Sequence, residues 1–448
     1  MQRRLERFSR LKCGRGGSRP FRLYLLALVV WWAGLCPPGS WAGAPLVPAK
    51  LAQMDAAIEQ AISEDRLPGG VLWVEHKEQR YQKAFGQRTL GSHAEPMTED
   101  TIFDAASMTK VLATTPLVMR LWERGRLKLD EPVRTYLPDF KGGERDKITI
   151  RHLLTHCSGF DVSLGRNPTW SGYEQAIAMA CAEKPSYPPG TVFHYCDINF
   201  ILLGEVVQRL GGRKLNEMAA EEVFGPLRMT DTGYLPGPDK LARIAPTARN
   251  ASVKSRRVVH DPTTRRMGGV AGQAGVFTTA ADMARFARMM LGGGELEGIR
   301  ILKPETVELM IHVQSPAVVE ARRGLGWDID SDYSRPRGNV FPIGSYGHTG
   351  FTGVCLWVDP FSETFWMFLS NRVYANQSAN ILALQRGLGT LAAESVADFN
   401  FSVVPGALPA RSTEPAPRPP ESASKSGADS RRILQLDPFT WCYYYTTT

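Results

Sequence analysis

The sequence predicts an α+β fold in which one antiparallel sheet, formed by both chain ends and flanked by helices, encloses a mainly helical inserted region. Three observations lead there. Residues 71–75 and 80–85 read as two short strands of a hairpin. Strand character, rich in aromatic and β-branched residues, returns only at 324–329, 346–358 and 364–369. Between them, from about residue 107 to 310, the chain reads as helices joined by Gly- and Pro-rich loops such as Tyr187-Pro188-Pro189-Gly190.

Taken in order, residues 1–44 read as an export signal: a basic stretch to Arg22, an uncharged apolar run over 23–35, a Pro37-Pro38-Gly39 break, and small residues at Ala42 and Ala44. The apolar run is short for a bilayer span. The protein is therefore expected to be exported, periplasmic or secreted, with no stable membrane span once the signal is removed. Anchoring by an uncleaved segment is the alternative. Cys36 does not argue for lipid attachment, because Leu35 is a poor residue before a lipidated Cys. Removal of the signal leaves Cys157, Cys181, Cys196, Cys355 and Cys442, an odd and scattered set that argues against a disulfide framework.

Charge tells the same story. Of the net +8, residues 1–22 carry eight basic groups and one Glu, a net +7, so +1 remains for everything else. No nucleic-acid partner is expected on that balance. The 448 residues are 43% hydrophobic and 22% charged, as in a globular protein with a sizeable core. A hydrolase-sized domain is expected over 45–404. It opens on an amphipathic helix, with Leu51, Met54, Ile58 and Ile62 at helical spacing, ending near Leu67-Pro68-Gly69-Gly70. A helix over 379–396 closes it. Residues 405–448 read as a Pro/Ser-rich disordered linker and a short tail of no assigned role.

The chemistry centres on Asp104-Ala105-Ala106-Ser107-Met108-Thr109-Lys110. In a helix, residues three apart share a face, which brings the Lys110 amine within reach of the Ser107 hydroxyl. A helix beginning at Ser107 and ending near Gly125 would also aim free backbone N–H groups at a developing oxyanion. For Lys110 to act as a base, its pKa of about 10.4 must fall by roughly 3 units, about 4 kcal/mol, which burial and cationic neighbours supply. Spacing alone is weak: Ser9/Lys12 and Ser422/Lys425 repeat it in segments unlikely to fold.

Two later stretches lift Ser107 above chance, Tyr195-Cys196-Asp197 and His348-Thr349-Gly350. With them, and with the phrases at 150–160, 199–204 and 268–277, residues 51–396 resemble the serine β-lactamase and penicillin-binding-protein superfamily, most closely its class C-like branch of β-lactamases, esterases and D-amino-acid peptidases. The resemblance implies a β-lactamase/transpeptidase-like fold and needs no cofactor or metal. It also implies roles: Ser107 attacks a carbonyl, Lys110 and Tyr195 share its proton, Tyr195 protonates the leaving group, and an acyl-enzyme forms. The backbone N–H groups of Ser107 and Phe351 would form the oxyanion hole, with Thr349 and Gly350 beside them on a strand.

Two residues depart from the superfamily's pattern. Asp197 stands where many relatives carry Asn, replacing an amide donor by an acceptor. His348 stands where β-lactamases carry Lys, and at neutral pH it is a poor fixed cation for a substrate carboxylate. Both favour a small ester, or another small acyl substrate, over β-lactam or D-alanyl chemistry. The alternatives are a penicillin-binding D,D-peptidase or β-lactamase acting on a cell-wall-derived substrate and, from another class, a non-catalytic relative that binds peptidoglycan or a protein. His152 and His156, four apart, mimic half a zinc site, but Leu153 replaces the Glu of such a helix and a structural role is expected. A Gly-x-Ser-x-Gly elbow and a phosphate-cradling loop are both missing from the sequence.

Overall fold

A strand reading Gly-Gly-Val-Leu-Trp-Val-Glu-His must cover both its faces, since aliphatic residues occupy odd and even positions alike. In the computed structural model, which describes residues 46–411 apart from 162, 165–169, 250 and 377, this strand, β1 (Gly69–His76), is buried along its whole length. Val71 and Trp73 enter the larger core shared with the helical region. Leu72 and Val74 face a second core beneath the terminal helices.

Helix α1 (Pro48–Ser63) supplies Leu51, Met54 and Ile58 to that second core, as its spacing predicts. Strand β1 pairs with β2 (Gln79–Thr89) in the predicted hairpin. Beyond the helical region come β3 (Tyr346–Gly350), β4 (Val354–Asp359) and β5 (Thr364–Ser370), and then the closing helix α4 (Leu382–Glu394). For that numbering, α2 is Thr115–Glu123 and α3 is Asp197–Gly211. The eight-stranded sheet runs Glu95–Pro96, β2, β1, β5, β4, β3, Asp328–Asp330, Arg322–Arg323, with antiparallel pairing throughout. First and last strands meet at the centre, with Val71 opposite Leu369, so both chain ends build one sheet.

Three expectations need correction. The strand expected over 324–329 is mostly a turn, with Gly326 at φ 79°, between two short edge strands. The run 346–358 is two strands, broken where Gly353 takes φ 114° and the Gly353 N–H bonds back to Gly350 O. The tail is held beyond its expected boundary at 404: Leu408 N–H donates to Ile343 O at 2.7 Å and Arg411 pairs with Asp330 at 3.2 Å. The expected signal segment and residues 412–448 lie outside the described residues. Among the described residues no helix is long and apolar enough to cross a membrane.

The regular helix expected from Ser107 is also absent. A 3₁₀ turn, Ala106–Met108, passes into a π-helical turn, Lys110–Thr114, before α2 begins. The tight turn follows from Ala106, whose φ of 46° is left-handed; Asp104 Oδ1 holds it there by accepting the Ala106 N–H at 2.9 Å. Strand β3 passes against this turn at Gly350. A Cβ on Gly350 would stand 2.5 Å from Ala105 O. Gly350→Ala is therefore expected to push β3 away from Ser107, lowering stability by about 1–3 kcal/mol and kcat by about 10²-fold. Thermal melts and steady-state kinetics on one preparation check this; unchanged kcat would mean the contact does not set the site.

Candidate active site

Ser107 follows the short strand Phe103–Asp104 on a strained turn and is half-buried, while Lys110 is wholly buried. The two side chains meet as the spacing requires, with Lys110 Nζ donating to Ser107 Oγ at 3.1 Å. A second donation goes to Asp197 Oδ1 at 2.7 Å and a third to Gln273 O at 3.0 Å. An ammonium has three N–H bonds, and each has found an acceptor.

The expected fall in the pKa of Lys110 is overturned by this arrangement. Burial, the largest single influence, pulls it down, but the charge and hydrogen bond of Asp197, together with Tyr195, outweigh it, and the pKa ends above its ordinary value. Lys110 is a fixed cation that donates to Ser107 and cannot accept its proton in this state. Asp197 owes its place to α3, whose first residue it is. Gln273 O arrives because Gly272 lies against that helix so closely that a Cβ would stand 2.0 Å from Phe200 O.

Tyr195, two residues before Asp197, lies with its ring 5.1 Å from Lys110 Nζ. Its hydroxyl is buried and makes no well-formed hydrogen bond. Burial raises its pKa, against the Lys110 charge and the nearby Ser107 and Lys110 hydrogen-bonding groups, which lower it. The phenol is therefore neutral at rest, beside a cation that favours any negative charge it acquires.

His348 lies on β3, its ring 6.0 Å from that of Tyr195. Nδ1 bonds Thr349 O at 2.8 Å; a carbonyl only accepts, so Nδ1 carries the proton and Nε2 a lone pair. Burial and the Arg323 and Lys110 charges hold His348 well below its usual pKa, despite the Thr349 carbonyl. It is a neutral imidazole, as its sequence position suggested. Gly350 and Phe351 follow, and Phe351 stacks on His260 at 5.4 Å. The His260 N–H in turn donates to Asp104 Oδ2 at 2.7 Å, so one buried carboxyl anchors both the Ser107 turn and the neighbour of Phe351.

All of Ser107, Lys110, Tyr195, Asp197, His348, Thr349, Gly350 and Phe351 thus converge on one site. Reading the sequence assigned no role to Asp104 within the Ser107 stretch, and did not single out Gln273, Arg323, Asp261 or Tyr333, whose ring stacks on that of Tyr195 at 5.1 Å. Gln273 lies within the phrase 268–277, but a backbone acceptor has no side-chain signature. Arg323, buried and paired with Asp328 at 3.1 Å, sits in a segment read as a strand boundary. Burial raises the pKa of Asp261, and the Asp197 charge adds to the rise. His152 caps a short helix, accepting the Thr149 N–H, and His156 packs on Tyr195. No metal-holding cluster occurs among the described residues, and the described cysteines are buried.

A hydroxyl held by an ammonium, with a phenol and the end of a strand beside it, is the equipment of a serine acyl hydrolase. A model of the beta-lactamase family matches residues 54–390, and the chain belongs to that family of hydrolases. A putative D-alanyl-D-alanine carboxypeptidase of Escherichia coli (strain K12) is 27% identical over 368 residues, covering 73% of this chain and 83% of that protein. An N-acetylmuramyl-L-alanine amidase of Bacillus subtilis (strain 168) is 31% identical over 350 residues, covering 69% and 78%. The fold is that of a solved class C beta-lactamase, with a TM-score of 0.61 at 19% identity over 76% of this chain and 96% of that one.

The ion pair generates a pH prediction. Lys110, raised in the folded state, stays protonated through neutral pH, and the stabilisation this brings is present below about 10.4 and lost only as pH rises through the raised folded value. In Asp197→Asn burial acts without the carboxylate, so the Lys110 pKa falls. The alkaline limb of kcat/KM should then move to lower pH. A profile identical to that of the unmodified enzyme would show that Asp197 does not hold the proton on Lys110.

Proposed function

We propose that this chain is an exported serine esterase acting on small acyl substrates that carry no carboxylate near the scissile bond. The observation that carries this reading is the state of the site's charges. The ammonium of Lys110 is occupied by Asp197, Gln273 and Ser107, Arg323 is held by Asp328, and His348 is neutral. A substrate carboxylate would meet an imidazole lone pair and the Asp197 charge where a fixed cation is needed.

In this reading Ser107 Oγ attacks the carbonyl carbon. Its proton passes to Tyr195 as the Tyr195 hydroxyl proton passes to the departing alkoxide, so the phenol relays one proton and ends neutral. Lys110 stabilises the phenolate character that Tyr195 acquires as its own proton leaves ahead of the one it receives. The N–H groups of Ser107 and Phe351 bind the oxyanion, each such donor contributing about 10² to 10³ in rate. Water then reverses the sequence and releases the acid. Cleavage of a cell-wall-derived amide is the second reading, favoured by the names of the two bacterial relatives. Export rests on the character of residues 1–44 and on the cell-wall names of those relatives.

A fluorophosphonate probe should label Ser107, as found by peptide mapping, and Ser107→Ala should abolish labelling and lower kcat by several orders of magnitude. Full turnover in the folded mutant would sink the assignment, and with it catalysis by this site. Selectivity is tested by His348→Lys. The native protein should prefer an uncharged ester to a carboxylate-bearing one of equal acyl size, and the substitution should shift the kcat/KM ratio toward the charged ester by about 5- to 150-fold, on the order of 1–3 kcal/mol. A native preference for the charged ester that the mutation leaves alone would favour the peptidase.

A further inference from the structure

His156, which the sequence offers only as a false half of a metal site, touches each of the three residues that carry Tyr195. Its carbonyl accepts the His194 N–H at 3.0 Å. Its Nδ1 accepts the Cys196 N–H at 3.1 Å. Its ring lies face to face with Tyr195 itself, at 4.3 Å between centroids and 26° between planes. The backbone of His156 is left-handed, φ 57°, a conformation that non-glycine residues rarely adopt and that surrounding contacts must hold.

The ring is held in turn. Asn199 Nδ2 lies 3.1 Å from the same Nδ1, and Asn199 Oδ1 accepts the Ser158 hydroxyl at 2.6 Å. Because a backbone N–H always donates, Nδ1 must keep its lone pair, which puts the ring proton on Nε2 and fixes the tautomer. Burial, with the Arg323 and Lys110 charges, keeps the ring uncharged. Tyr333 stacks on Tyr195 at 5.1 Å and Phe200 lies 5.3 Å from His156, so the phenol is set within a column of four rings. Lys110 Nζ stands over two of them, Tyr195 and Phe200.

We infer that His156 is a positioning residue for Tyr195, clamping the backbone on either side of it and its ring face so that the phenol oxygen is aimed at Ser107. This rests on the reading of Tyr195 as the proton relay. A ring and an acceptor are both needed: the ring sets the plane of the phenol, and Nδ1 sets the height of the chain that carries it. Displacing a proton-transfer group by about 1 Å is enough to cost about 10²-fold in rate.

The test is a double-mutant cycle of His156→Phe and Tyr195→Phe, read as kcat and KM on one p-nitrophenyl ester, with thermal melts of all four proteins. His156→Phe keeps a ring but removes the acceptor. It should lower kcat by about 10- to 100-fold with KM changed less than about threefold, and it should add little to Tyr195→Phe, because its effect passes through that phenol. His156→Asn, which tolerates the left-handed backbone and offers an oxygen but no ring, should also lose kcat. The same loss in the Tyr195→Phe background as in the native one, full kcat in both folded variants, or failure of both to fold would each overturn the inference. Unimpaired turnover by Tyr195→Phe alone would instead sink the relay reading beneath it.

Discussion

A buried ammonium can persist only where its charge and all its N–H bonds are met. Lys110 is fully buried, and leaving such a group unpaired costs several kcal/mol. Its three acceptors come from segments at 107, 197 and 273, and each segment owes its position to a different part of the fold. Ser107 hangs on the left-handed turn held by Asp104, Asp197 opens α3, and Gln273 follows a glycine pressed against that helix. The cation therefore ties the Ser107 turn, α3 and the loop at 273 together at the point where chemistry is expected.

That constraint reshapes the helix it sits on. A regular α-helix from Ser107 would carry Ser and Lys on one face, yet the chain adopts a 3₁₀ turn at Ser107 and a π turn from Lys110. Wide turns of this kind are costly and concentrate at functional sites. Here the π turn coincides with the buried lysine, and the Thr114 hydroxyl donates to Gly272 O at 2.7 Å, tying the turn to the loop that supplies Gln273.

Electrostatics then separates the site's groups. Asp197, with Tyr195, holds Lys110 charged against burial, while burial, joined by the Arg323 and Lys110 charges, holds His348 and His156 neutral. The site that results has its cations committed to partners and presents an imidazole lone pair.

Much of this was legible in the sequence because it is written at short range. The unbroken apolar run of β1 and the 3.6-residue spacing in α1 depend on neighbours a few positions away, and the order Ser107-x-x-Lys110, Tyr195, His348-Thr349-Gly350 names the candidate parts of the site. Only the tertiary structure decided what those parts do to one another. The charge on Lys110 is set by Asp197, 87 residues away, and by a backbone carbonyl that no side-chain pattern announces. The edge turn at Gly326 and the break at Gly353 are likewise resolved by pairing partners and glycine backbone angles that aromatic and β-branched content cannot register. His156 shows the limit most directly: its spacing from His152 mimics half a zinc site and left only an unspecified structural role, while the role inferred for it follows from a ring plane and a lone pair that exist only once residues 156 and 195 have been folded together.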